Sequence, residues 1–172
     1  GVDMIVLTGN PGVGVDNEAI IQALSKLKDA VGDRVILTAG KMHASGIISE
    51  AGEKILTEKD IVDFIDAGAD VILLPAPGTV PGITMEYAGK LIKKAHEKGA
   101  LAMTTIGTSQ EGADEDTIRQ IALMCKMAGA DIHHIGDSGY MAMALPENIT
   151  AYSVAIRGKR HTYRRMAMSL LR

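Results

Sequence analysis

Five loops of this 172-residue chain gather residue types that can do chemistry. They are Thr8-Gly9-Asn10-Pro11-Gly12-Val13-Gly14, Thr38-Ala39-Gly40-Lys41-Met42-His43 and Pro75-Ala76-Pro77-Gly78-Thr79-Val80-Pro81-Gly82. The last two are Thr104-Thr105-Ile106-Gly107-Thr108-Ser109-Gln110-Glu111 and Ile135-Gly136-Asp137-Ser138-Gly139-Tyr140. Lys41 suits a clamp on a carboxylate or phosphate. A Schiff-base lysine usually stands inside its strand, whereas Lys41 is expected just beyond one, so the clamp or simple solvation is preferred. His43 is a candidate general acid or base. Glu111 and Asp137 are further candidates for moving protons. Gly107, Thr108 and Ser109, with Gly136, Ser138 and Gly139, offer backbone N–H groups and hydroxyls to an anion. Asp137 would repel that anion unless a metal or a base intervened. Gly9 to Gly14 is a poor dinucleotide fingerprint, because it contains a Pro and lacks the third Gly at the required spacing.

His133 and His134 are the natural metal-ligand candidates. Neighbours on a strand face opposite sides, so the two cannot easily hold one ion together. One His with Asp137 and Glu111 keeps a divalent metal possible, but no ligand spacing is diagnostic. No metal ligand is assigned and no cofactor is named. Cys125 is expected to pack in the core of a helix, among Ile121, Leu123 and Met124.

The elements that carry these loops follow from a repeated phrase. A Gly closes a helix, one or two small or acidic residues follow, and an apolar strand starts. Copies begin at Gly1, Gly32, Gly68, Gly99 and Gly129, roughly one βα unit apart. The strands are short runs of Val, Ile and Leu with little alternation, as in a parallel sheet covered on both faces. Helices are expected over Asn17 to Val31, after a Thr57 cap, from Thr84, from the acidic cluster Asp114 to Asp116, and from Pro146. Tyr140 to Ala144 is a candidate short extra helix. Five such units predict one α/β domain over residues 1–172, built of parallel βα units. The preferred architecture is the C-terminal part of a (β/α)8 TIM barrel; the alternative is an open doubly wound sheet. Gly1 stands where a helix cap belongs with no helix before it. The expectation is therefore a domain truncated at its N-terminus, with about three units upstream.

Composition narrows the partners. No apolar run reaches the length of a membrane span, so no membrane is expected. A single cysteine excludes an internal disulfide framework and fits a reducing cytoplasm. With no Trp and one Phe, base stacking is poorly supplied and nucleic acid is not an expected partner. All acidic residues precede Arg157, which begins a basic tail of six Lys and Arg. The body then holds 12 basic against 21 acidic residues, a charge of −9. The basic tail is read as a charged helix face meeting solvent, the acidic body or a neighbouring subunit. Exposed sheet edges in a five-unit piece predict a homo-oligomer or an edge covered by another chain.

Over nearly its whole length the pattern resembles the C-terminal five units of phosphate-binding (β/α)8 barrels. Gly136-Asp137-Ser138-Gly139-Tyr140 and Thr105-Ile106-Gly107-Thr108-Ser109-Gln110-Glu111-Gly112 are similar to a bacterial barrel family. Its members are sometimes labelled haloacid-dehalogenase-like hydrolase or phosphoenolpyruvate phosphonomutase. The residues carry neither chemistry. Asp114-Glu115-Asp116-Thr117 opens a helix rather than following a strand, and no Lys-x-Cys-Gly-His loop is present. The resemblance implies the fold and no established reaction. The leading expectation is a lyase or isomerase with aldolase- or isomerase-like chemistry on a phosphorylated or carboxylated metabolite, such as a sugar phosphate or oxo acid. The alternatives are a non-catalytic ligand-binding or regulatory barrel, and a hydrolase.

Overall fold

The computed structural model describes residues 1–43, 47–136 and 144–168. Five parallel strands form one sheet in sequence order: β1 (Met4–Thr8), β2 (Ile36–Gly40), β3 (Val71–Pro75), β4 (Leu101–Ile106) and β5 (Ile132–Ile135). Between and after them run α1 (Asn17–Val31), α2 (Glu58–Asp66), α3 (Met85–Glu97), α4 (Glu115–Ala128) and α5 (Pro146–Ala167). Each helix packs on the next, α1 on α2 through to α4 on α5. The helices therefore form one layer on one face of the sheet. A doubly wound sheet would reverse its strand order and split the helices between two faces, so that alternative falls. Five parallel βα units of a barrel remain.

Thr57, Thr84 and Asp114 cap their helices as expected, and Asp16 caps α1 in addition. Asp16, Thr57, Thr84 and Asp114 each accept a hydrogen bond from the backbone three residues on. Thr57 and Asp60 cap one another reciprocally. The repeated phrase also gains a mechanism. The Asp70 carboxylate accepts from the Leu37 N–H at 2.8 Å, and Asp131 accepts from the Ala102 N–H at 2.8 Å. Each acid satisfies the backbone of the neighbouring strand near its start, while Lys28 and His96 pair with these same acids from the helix layer.

Strand alternation divides the side chains. Outward residues such as Leu37, Ala39, Ile72, Leu74 and Ala102 pack with Ile20, Leu24, Ile61, Phe64 and Leu91 of the helices. A second cluster joins Ile106 to Ile118, Ile121, Cys125 and Tyr152 of α4 and α5. Inward residues form a smaller apolar group of Val71, Leu73 and Met103 with Met4, Met42 and Ile132. α5 is two helices joined at Gly158, whose φ of 77° breaks the helical path. Ser153 and Thr162 hydroxyls lie 3.0 Å apart across that break. Nine residues of straight helix would separate them by about 13.5 Å, so the chain turns sharply there.

Candidate functional site

At the C-terminal end of the inner face, β4 and β5 run in register with Thr105 beside His134. Their side chains meet, Thr105 Oγ1 lying 3.0 Å from His134 Nδ1. Met42, just past β2, completes the group: the Thr105 hydroxyl donates to its sulfur at 3.1 Å. Thr105 is buried beneath these two neighbours, whereas His134 keeps one side open to solvent. Partial burial holds the His134 imidazole below its ordinary pKa of 6.5, which favours the neutral ring.

Gly107 and Gly136 continue the rows of Thr105 and His134 by two residues. A Cβ at Gly107 would lie 2.5 Å from Met42 Sδ. A Cβ at Gly136 would collide with Glu111 Oε2. The Glu111 carboxylate thus fills the space a side chain at 136 would need, in the same row as His134. Asn148 of α5 holds this turn in place. Its amide donates to the Glu111 carbonyl at 3.2 Å and the Ala113 carbonyl at 2.9 Å, and Asn148 itself is buried. Sequence reasoning missed Asn148 and Thr105. A polar side chain two residues into a helix, opposite a loop with open carbonyls, is the only signal that could have flagged Asn148.

The other expected site residues are scattered. The stem of Lys41 packs where a Cβ of Gly9 would lie, beside Ile20 of α1, on the helix side of the sheet. Its ammonium pairs with Glu50 at 2.5 Å, and only 2% of the side chain is exposed. Lys41 is therefore neither solvated nor aimed into the inner face with Thr105 and His134. A strand that places Met42 inward turns its neighbour outward. His43 follows, half-buried and engaged. The Thr108 hydroxyl faces Gln110 Oε1 at 2.5 Å and the Thr79 carbonyl at 3.3 Å, so its one proton is committed within the loop. Ser109 is exposed. The Gly136 N–H donates to the Ile106 carbonyl at 2.9 Å and is not available to an anion. Asp137, Ser138 and Gly139 lie outside the described residues, as does most of the Tyr140 to Ala144 segment.

His133 points to the helix layer, opposite to His134. Its Nδ1 lies 2.9 Å from the Tyr152 hydroxyl. Burial, helped by the Arg157 charge, lowers its pKa. Cys125 is buried alongside, and burial raises the pKa of both Cys125 and Tyr152. A cleft of about 370 Å³ runs along the free side of β5, bordered by His133, His134, Tyr152, Ser153 and Arg157. Among the described residues no three His, Cys, Asp or Glu side chains gather to hold a metal. None of their helices is long and apolar enough to cross a membrane.

A one-layer sheet in sequence order, with polar groups at its strand C-termini, defines the βα-barrel class. The chain belongs to the family described as Domain of unknown function (DUF7916), whose model matches residues 1–172. A Haemophilus influenzae protein bearing the name N-acetylmannosamine-6-phosphate 2-epimerase is 36% identical over 89 residues. That match spans 52% of this chain and 33% of the relative. A protein of the same name from Actinobacillus pleuropneumoniae serotype 5b is 35% identical over 88 residues, 51% of this chain and 33% of its own. The chain thus matches about a third of the length of these curated relatives. Among solved structures, one named as a deoxyribose-phosphate aldolase from Coccidioides immitis aligns with a TM-score of 0.65 at 12% identity, over 92% of this chain and 57% of its own. The tetrameric deoxyribose phosphate aldolase from Aeropyrum pernix aligns with a TM-score of 0.59 at 14% identity, over 90% and 71%. At such identities the likeness concerns the fold. The labels haloacid-dehalogenase-like hydrolase and phosphoenolpyruvate phosphonomutase are not supported by these relatives.

Proposed function

We propose that this chain carries the C-terminal part of a site that moves a proton at a carbon next to a carbonyl, on a small phosphorylated or carboxylated metabolite. The observation that carries the reading is the convergence of His134, Thr105 and Glu111 at the C-terminal end of the inner face, beside the side-chain-free positions 107 and 136. Barrel enzymes work at this end of the sheet. An imidazole and a carboxylate in one row suit general acid–base chemistry. Sugar phosphates are the favoured substrate class, because the curated relatives are named for the 2-epimerisation of N-acetylmannosamine 6-phosphate. In this reading the turn from Gly107 to Ser109, with the 137–139 segment, receives the anion, and Lys41 braces the β1 and β2 loops through Glu50. Isomerase or epimerase chemistry fits better than a Schiff-base aldolase, since the lysine at the end of β2 is held on the helix side. His43 and Asp137 remain proposed as auxiliary proton carriers.

The test is proton exchange. The protein is mixed with N-acetylmannosamine 6-phosphate in deuterium oxide, and the C2 proton is followed by NMR. Calorimetry with the same compound and with inorganic phosphate reads binding. Exchange at C2 supports the reading. Binding without exchange assigns a ligand-binding barrel instead, and neither binding nor exchange overturns the reading.

A further inference from the structure

We infer that His134 and Glu111 act as a facing acid–base pair, with His134 Nε2 as the proton acceptor and Thr105 as the residue that fixes its tautomer. The inference rests on the proposed function and deepens it. Its first support is the logic of the Met42–Thr105–His134 contacts. A thioether sulfur only accepts, so the Thr105 hydroxyl proton must point at Met42 Sδ for that 3.1 Å contact to form. The Thr105 oxygen then has only lone pairs to offer His134. The 3.0 Å contact to Nδ1 is a hydrogen bond only if Nδ1 carries the proton. Both contacts are satisfied together in this one arrangement, and it leaves Nε2 as a lone-pair acceptor. Partial burial keeps the ring neutral near pH 7, as a base requires.

The second support is spacing. Residues two apart on a strand lie about 6.6 Å apart on one face. The Glu111 carboxylate occupies the place of a side chain at 136, so it stands about one such step from the root of His134. Glu111 and His134 thus border the same end of the inner face, two strand positions apart. His134 Nε2 takes the proton from the carbon, the C–H pair forms the new C=C bond, and the carbonyl π pair moves to oxygen. Glu111, carrying a proton drawn from water, then returns it to the other face of the same carbon as the carbonyl re-forms. The product is the epimer, with His134 protonated and Glu111 ionised, and exchange with water resets the pair. Asn148 is the positioning residue, because it holds the backbone on which Glu111 is mounted.

The test has two arms. Imidazole ¹⁵N NMR reads the tautomer without any substrate. His134 is expected to carry its proton on Nδ1 at pH 7 and to lose that preference in Thr105→Val; a proton on Nε2 in the wild type overturns the inference. The second arm uses deuterium exchange into each epimer of N-acetylmannosamine 6-phosphate. His134→Gln and Glu111→Gln are each expected to slow exchange at least about a hundredfold, each from a different epimer. Circular dichroism confirms that both variants fold. Wild-type exchange that survives in both variants overturns the pair alone. A wild type that neither binds nor exchanges overturns the underlying reading and the pair with it.

Discussion

Replacing Glu50 by Gln is expected to destabilise the protein by about 2–3 kcal/mol, somewhat less than the cost of breaking a fully buried ion pair. Lys41 is almost wholly enclosed, and among the described residues Glu50 is the one carboxylate that pairs with it. Breaking a buried pair from one side costs about 3–5 kcal/mol, because the remaining charge stays in a poorly solvated place. Glu50 is itself 26% exposed, so water reaches that end and moderates the loss. In a domain of this size about 1 kcal/mol corresponds to roughly 2–4 °C, which puts the fall in Tm at about 5–10 °C. Urea unfolding at unchanged m-value gives the same quantity independently. Adding Lys41→Met should recover most of the loss, because an uncharged stem of similar length still fills the slot beside Gly9. A Glu50→Gln protein within about 0.5 kcal/mol of wild type would refute the buried-pair argument. Lys41→Met that keeps full stability but loses phosphate binding would return Lys41 to the role of an anion clamp.

Three further outcomes follow from the same geometry. Gly136→Ala drives a methyl group into the Glu111 carboxylate, so proton exchange should fall on the order of a hundredfold while circular dichroism stays native. Asn148→Ala removes the donor to two loop carbonyls and should cost about 1–3 kcal/mol in urea unfolding; an unchanged midpoint would mean that water replaces the amide. Burial holds His133 and His134 below 6.5, so below that pH the unfolded chain binds more protons than the folded one. Stability should therefore rise with pH up to about 6.5 and fall on acidification below it. His133→Gln should flatten that slope, and an unaltered slope would count against the assignment.

Much of the architecture was legible in the sequence, for local reasons. Asn17 to Val31, Thr57, Thr84, Asp114 and Pro146 declare their helices through apolar spacing and capping chemistry, which act within a few residues. The repeated glycine-led phrase marked the return from helix to strand. The purpose of its Asp was hidden, because Asp70 and Asp131 serve backbone N–H groups about thirty residues away in sequence. The same distance effect limited the site. His134 was weighed only as a metal ligand, since its partner Thr105 is defined by strand register rather than by spacing along the chain. Lys41 looked like a loop cation because nothing local reveals that Gly9 opens a slot for its stem or that Glu50 waits at the end.

Strand alternation explains why structural and chemical roles sit side by side in this chain. Three pairs of neighbours straddle the sheet: Lys41 and Met42, Thr104 and Thr105, His133 and His134. The first member of each packs into the helix layer, where Lys41 meets Glu50 and His133 meets Tyr152. The second member of each faces inward, and those three second members are the ones that touch each other. Opposite assignments would follow from a slip of one residue in pairing, which moves every side chain on a strand to the other face. The register that sets Thr105 against His134 is thus as much a part of the site as the residues themselves. It is held by the helix-side partners: apolar burial under α3 and α4, and the Asp131 carboxylate on the Ala102 N–H. The buried outer members fix the strands, and the fixed strands align the inner members for chemistry.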